Sequence, residues 1–434
     1  MSTSRRQLLA MTGLSCLSLG LAACGRQTAA PAAGGSVSLQ VATNDPNYAT
    51  YFSGWAAKLS KTPGRFRYRT SSLIEAPDQV VTKLLTSSMS HSRLPDLPGL
   101  EITQFSRLQR QDIARYLLVD LAKAVPGLRE RFYPARLAPY TSQGAVYGLE
   151  SDMCLGVYFY REDLFAKYRL PTDFGSWDEL ISIGAAANRS HGISLGAVGN
   201  NDITWMAMML LQQGGEFFGT DGSLRLESSE AVSALQTLVR GVRTGAFALF
   251  NDFFGAAAAS ALNQDKIAGY FMPDWFAPFV LRLNAPQQKG RWRMRRLPRF
   301  PRGGPTSVWG GTGFGVAKDQ RNTQAALELL TAAYATTEGQ VQRFLTAHYL
   351  PTMKAAWKDP RLLAYEDDYL GGQRPFELFG DIVAQAPTMV TGPYWDVMSS
   401  QLAVALSDAL RGKTSPADAV RSAASSIRTQ MKAV

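Results

Sequence analysis

Gly192-Ile193-Ser194-Leu195-Gly196 matches G-x-S-x-G and has His191 beside it, a pairing that could serve nucleophilic hydrolysis. A nucleophile elbow needs a strand before its serine and a helix after it. Here a helical pattern precedes the serine, and Ala197-Val198-Gly199-Asn200 reads as a strand running into a loop. His348 is the one histidine downstream. A hydrolase built on Ser194 is therefore a minor alternative. Gly311-Thr312-Gly313-Phe314-Gly315 is not a dinucleotide fingerprint, because its third glycine comes one residue early and no helix follows directly. There is no Walker A motif and no EF-hand loop. Three histidines and three cysteines, two of them in the first 24 residues, do not make a zinc site of the usual composition. The expectation is a protein without enzymatic activity and without a cofactor.

Lys289, Arg291, Arg293, Arg295, Arg296, Arg299 and Arg302 place seven cations in fourteen residues, interleaved with Trp292 and Met294. Basic and aromatic residues together can mark nucleic-acid binding. The strict alternation over Arg291–Arg295 instead predicts a strand with its arginines on one face and Trp292 and Met294 on the other. Such a strand is half-buried, with a solvated basic edge that discourages edge pairing. Contact with an anionic ligand, a lipid headgroup or a partner is the alternative; nucleic acid is not expected.

These groups sit in a chain of 434 residues that is 46% hydrophobic and 18% charged, with a net charge of +10. That balance excludes a mostly disordered, collagen-like or coiled-coil protein. The N-terminus reads as an export signal: Arg5 and Arg6 precede an apolar run from Leu8 to Ala23 that is too short to be a span. The arginine pair resembles a twin-arginine signal, and it also suits the charged start of a general secretory signal. Leu21-Ala22-Ala23-Cys24 resembles the lipobox of bacterial lipoproteins, in which the cysteine is lipidated and becomes the first residue. Removal of residues 1–23 would leave 411 of the 434 residues and a net charge of +8. Residues 24–36, rich in Ala, Gly and Pro, would follow as a flexible tether to the membrane. Cys154 is then the one thiol besides the lipidated one, set in an apolar run as a small buried hydrophobe.

The elements that must position any site alternate in type. Val37-Ser38-Leu39-Gln40-Val41 has the period of a half-buried strand, and Leu117–Val119 and Val157–Tyr160 are apolar runs of strand type. Ser176-Trp177-Asp178-Glu179 is a capping box. Val232, Leu235, Val239 and Val242 recur at helical spacing, and further helices follow Asn322 and Ser415-Pro416. Alternating strands and helices predict an α/β fold with parallel sheets.

The order of motifs resembles that of extracellular solute-binding proteins of sugar ABC importers, the maltose-binding type. The resemblance is carried by Leu94-Pro95-Asp96-Leu97, Val146-Tyr147-Gly148-Leu149 with Tyr158–Phe165, and Trp177-Asp178-Glu179-Leu180. It continues through Gln213–Phe217 with Asp221-Gly222, Gly310–Val316 and Tyr349-Leu350-Pro351-Thr352. It implies two α/β lobes with a ligand cleft between them and several hinge crossings, near Asp152, Thr312 and Leu350. Lobe I would hold residues 37–151 and 312–350, and lobe II residues 152–311 and 351–434. The cleft should lie at strand ends, as open α/β sheets allow.

A sugar presents hydroxyls at its rim and C–H groups on its faces, so its cleft needs polar planar groups and flat aromatic rings. By family position these would be Asn44 after the first strand, Asp96 at a strand end, Asp152 at the first crossing, Trp205, Trp275, the Gly310-Gly311 backbone, and Trp395. Glu150 stands where the family often has proline, and Arg161 where it often has asparagine. The resemblance implies a monomeric, lipid-anchored component that captures a carbohydrate or polyol outside the cytoplasmic membrane and delivers it to ABC permease subunits. A phosphate-bearing ligand such as a glycerophosphodiester is the alternative within binding. A sensory accessory role is a third reading.

Overall fold

In the computed structural model, which describes residues 35–63 and 65–433, Val37, Leu39 and Val41 turn inward from the strand Ser36–Thr43. The strand pairs in parallel with Arg67–Ile74 on one side and Leu97–Glu101 on the other. The helices Pro46–Ser60 and Pro77–Met89 connect them. The first of these buries Tyr48, Tyr51, Phe52, Trp55 and Ala56, the i, i+3, i+4, i+7 stripe of a helix laid on a sheet. Two further strands complete this sheet: Thr312–Phe314, antiparallel to Leu97–Glu101, and beyond it Leu149–Glu150. One of its five strands therefore arrives from far down the chain.

The intervening residues build a second sheet around Gly156–Arg161, flanked by Gly269–Pro273 and Trp292–Arg296, both antiparallel to it. A parallel pair, Gly196–Gly199 and Phe247–Phe250, lies alongside through the bridge Ser194↔Ile267. Helices Trp177–His191, Thr204–Gln212 and Ser229–Arg243 cover these strands, and the late helices Trp395–Leu410 and Pro416–Ala433 pack on Ser229–Arg243.

The chain passes between the sheets three times, and the passages are bonded to each other. Leaving Glu150, it runs through Ser151–Leu155 into the second sheet. It returns through Ser307–Gly311, where Gly156 N donates to Ser307 O at 2.8 Å and Trp309 N to Cys154 O at 3.2 Å. After the helix Thr337–Ala347 it crosses again. There Leu350 N donates to Asp152 Oδ1 at 2.7 Å and Thr352 Oγ1 to Glu150 O at 3.0 Å.

Three sequence expectations change. Leu117–Val119 is not a strand: Leu117 ends the short helix Ala114–Leu117, and Leu118 makes a lone bridge to Ala317. Trp292–Arg296 is the expected edge strand with Trp292 and Met294 buried, but its arginines are not a free solvated face. Arg293 pairs with Glu162 and Arg296 with Asp381, each at 2.6 Å, and Arg295 lies over the Phe174 ring. Asp96 does not end a strand; the strand begins after it, at Leu97. The signal, Cys24 and the tether up to Gly34 lie outside the described residues.

Candidate functional site

The C-terminal ends of the parallel strands meet the second sheet at the crossings, and a row of polar groups collects there. Asn44 follows the first strand and is exposed, with Thr312 Oγ1 donating to its Oδ1 at 3.4 Å. Its neighbour Asp45 is turned inward: it caps the helix Pro46–Ser60 through Asn47 N at 2.9 Å and accepts from the Tyr349 hydroxyl. Glu101 ends the strand beside it. Its carboxylate caps the helix Ile102–Gln109, accepting from Thr103 N at 2.8 Å, Gln104 N at 3.3 Å and the Thr103 hydroxyl. Burial pushes the Glu101 carboxyl up to about 7 against these hydrogen bonds, and the charge of Glu150 adds to the rise.

Gly310 and Gly311 pass between the two walls with φ of +79° and +118°. A Cβ on Gly311 would run into the Arg136 guanidinium and the Glu150 carboxylate, so the bare backbone is required there. Arg136 and Glu150 are both fully buried and 3.0 Å apart, and Arg136 also donates to Gly310 O at 2.8 Å. On the other side, Trp275 follows the strand Gly269–Pro273. Its indole Nε1 donates to Trp309 O at 3.0 Å, and the ring edge lies against Gly310. Phe254, 57% exposed, continues this aromatic wall with its ring 6.5 Å from that of Trp275.

Asp152 on the first crossing and Asp274 just before Trp275 are both buried. Asp152 Oδ1 accepts from Leu350 N at 2.7 Å, while Asp152 Oδ2 and both Asp274 carboxyl oxygens have no hydrogen-bond partner among the described residues. Burial, and then the neighbouring charge of Asp152, push the Asp274 carboxyl well above the usual carboxylate range.

The structure thus brings Asn44, Trp275, Gly310 and Gly311 to the strand-end cleft, with Asp152 buried directly behind. It places three other expected residues elsewhere. Asp96, 2% exposed at the opposite end of its strand, accepts from Gln40 N at 2.8 Å and from Arg93 at 2.7 Å. Trp205 lies in the second lobe's core, its ring 4.5 Å from Phe253. Trp395 is buried edge-on against Phe217 at 5.3 Å and beside Trp309 at 6.1 Å. Glu101 and Phe254 lie beside the cleft residues and are not singled out by the sequence reading. The signal for Glu101 was present: it is the first charged residue after the apolar run Leu97–Leu100. Ser194, by contrast, is buried with its hydroxyl donating to Gly245 O at 2.9 Å, while His191 stacks on Tyr168.

The arrangement suits a polar ligand with apolar faces: amide and carboxyl groups gather at one end of the crossing and aromatic rings at the other. Comparison with known proteins agrees in kind. The family model of the bacterial extracellular solute-binding proteins matches residues 73–367. An arabinooligosaccharide-binding protein of Bacillus subtilis (strain 168) is 27% identical over 335 residues, covering 74% of this chain and 75% of that one. A lactose-binding protein of Rhizobium radiobacter is 25% identical over 58% of this chain and 60% of its own. Among solved structures, the galacto-N-biose-/lacto-N-biose I-binding protein of the Bifidobacterium longum ABC transporter superposes with a TM-score of 0.76. The match covers 92% of this chain and 98% of that one at 18% identity, a likeness of fold.

Proposed function

The chain belongs to the bacterial extracellular solute-binding proteins, and from that premise we propose that it is the sugar-capturing component of an ABC importer. Its ligand is a di- or oligosaccharide, the class bound by the arabinooligosaccharide- and lactose-binding relatives. One observation carries the reading: the Trp309–Thr312 crossing holds Trp275, with Phe254 beside it, at one end through Trp309 O, and meets Asn44 and Ile102, the residue after Glu101, at the other. The rings cover sugar C–H faces while the opposite wall takes hydroxyls. The protein acts without catalysis, as a monomer, handing ligand to permease subunits in the membrane. Residues 37–151 with 312–350 form lobe I, and 152–311 with 351–434 form lobe II. Export, by either signal route, ends in lipidation of Cys24, and two acyl chains hold the protein at the outer face of the cytoplasmic membrane. A phosphate-bearing ligand is disfavoured because Arg293, Arg295 and Arg296 are engaged on the outer edge of lobe II.

A thermal-shift screen against neutral mono-, di- and trisaccharides tests this. A ligand at a hundred times its Kd stabilises the native state by about 2.7 kcal/mol. The expected result is a di- or trisaccharide hit whose affinity falls about tenfold in Trp275→Ala. A hit confined to phosphate esters, or one indifferent to Trp275, overturns the reading.

A further inference from the structure

The helices Pro46–Ser60 and Thr337–Ala347 lie antiparallel, joined at one end by Lys58 and Glu338 at 4.0 Å and near the other by the Tyr349 hydroxyl on the Asp45 cap. Between them runs a groove of about 510 Å³. Asn47, Thr50, Gly54 and Lys58 line one side at one-turn spacing, and Glu338, Gln342 and Thr346 line the other. The buried rings of Tyr51 and Trp55 form its base. The charges at the far end are paired: Lys58 rests over the Trp55 ring beside Glu338, and Glu338 also takes Arg361 at 2.8 Å. The other polar groups are uncharged. Thr50 and Thr346 give their hydroxyl protons to Pro46 O at 3.0 Å and Gln342 O at 2.7 Å, which leaves both oxygens as acceptors. The Asn47 side-chain amide, without a partner among the described residues, adds donors. Gly54 is a second sign of an occupant. A glycine inside a helix costs about 1 kcal/mol against alanine. Gly54 has no positive φ, and a Cβ there would meet nothing within 4 Å, so neither backbone nor packing calls for it. Its missing side chain deepens the groove.

The near end of the groove adjoins the strand-end cleft. Asn44 and Asn47 stand on either side of the Asp45 cap, and Thr346 comes just before Tyr349. Phe279 follows Trp275 by one turn, its N donating to Trp275 O at 3.1 Å, and its ring lies 5.7 Å from that of Tyr349. Tyr349 therefore stands between the aromatic wall of the cleft and the groove. A chain that extends past Asn44 meets Asn47 next. There an aromatic base beneath hydroxyl acceptors and amide donors repeats the chemistry that sugar rings need. Deepening the sugar reading and resting on it, we propose that the groove is an outlying saccharide subsite. It seats the overhanging end of a neutral oligosaccharide whose leading rings occupy the cleft, and it selects longer chains over disaccharides.

The test titrates linear arabino-, galacto- and gluco-oligosaccharides of two to six units calorimetrically into the full-length protein, following the series whose dimer binds in the thermal screen. Affinity is expected to rise about tenfold from the dimer to the pentamer, the worth of one or two added hydrogen bonds. In Gly54→Leu the rise should vanish while dimer affinity is kept, because leucine fills the groove and leaves the cleft alone. Leucine is the better helix former, so this variant should melt no lower than the parent. The length series on the unsubstituted chain keeps the test independent of how the variant folds. Equal affinity at every length overturns the subsite while the sugar reading stands. A rise that survives Gly54→Leu puts the added rings elsewhere and overturns the groove as their seat. Dimer affinity lost in a folded Gly54→Leu overturns it too, since groove and cleft are then one site. No binding by any series overturns both readings.

Discussion

Glu101 shows how one side chain can be a cap and a liability together. Its carboxylate secures the N-terminus of Ile102–Gln109, yet burial raises its pKa from 4.5 to about 7. The folded state therefore binds more protons than the unfolded state between those values. Its contribution to stability is fully favourable below the unfolded pKa and is lost as pH rises through the folded one. The loss is bounded at about 3 kcal/mol and is smaller in practice, because water reaches part of the group. Glu101→Gln keeps the shape without the titration. Urea denaturation at pH 5 and pH 8 should show the variant gaining stability relative to the parent as pH rises, and a pH-independent difference would contradict the assignment. The carboxyl pair Asp152–Asp274 titrates in both proteins, so the comparison isolates Glu101. At this scale the sequence was only partly legible. Gly310 and Gly311 were recognisable by motif, but the reason for Gly311, the Arg136–Glu150 pair behind it, joins residues far apart in the chain. Trp205 was misplaced for a physical reason: Thr204–Gln212 is buried on every side, so the pattern offers no face from which to choose.

Elements with strong periodicity or end signals were the readable ones. The capping box forms as its spacing requires: Ser176 Oγ accepts from Glu179 N at 3.2 Å, and the Glu179 carboxylate accepts from Ser176 N at 3.0 Å and Gly175 N at 2.6 Å. Gly192, with φ of +65°, closes the same helix at its other end. Ser176→Ala should lower the stability of the lobe by about 1 kcal/mol, read as a shift in the urea midpoint without a change in slope. A shift below a quarter of that would show that tertiary packing, with Trp177 buried against Phe271, holds the helix start unaided. The alternation of Arg291–Arg295 likewise predicted a strand and its buried face correctly. It could not show where the arginines end, because Glu162, Asp381 and Phe174 come from other parts of the chain. Leu117–Val119 failed differently: a short apolar run has no period, and its first residue closes a helical turn.

On the scale of the molecule, two lobes were implied by the resemblance to solute-binding proteins that the order of motifs carries. What order could not supply is how the lobes meet. The three crossings are tied through Asp152, Leu350, Cys154 and Trp309, which restrains relative movement to bending about one line. Away from them, Arg110 donates to Pro393 O at 2.6 Å and pairs with Asp396 at 2.5 Å, an exposed pair worth under about 1 kcal/mol. The helix Ile102–Gln109 also packs on Trp395–Leu410, with Ile102, Phe105 and Leu108 in one buried cluster with Met398 and Leu402, so movement there has to slide or rock a packed contact. Ligand shifts the angle only by the difference in its affinity for the two states. On the proposed site, a saccharide that contacts both Asn44 and Trp275 bridges the two sheets, and it favours whichever angle satisfies both contacts. Small-angle scattering should show the radius of gyration falling on addition of the disaccharide that the thermal screen identifies. Trp275→Ala, saturated with the same sugar, should contract less, because the deleted ring belongs to the wall that must travel. Equal contraction in both would mean that lobe I and the crossings alone drive the movement, and an unchanged radius in the parent would mean that the bond network at the crossings already fixes the angle at which sugar binds.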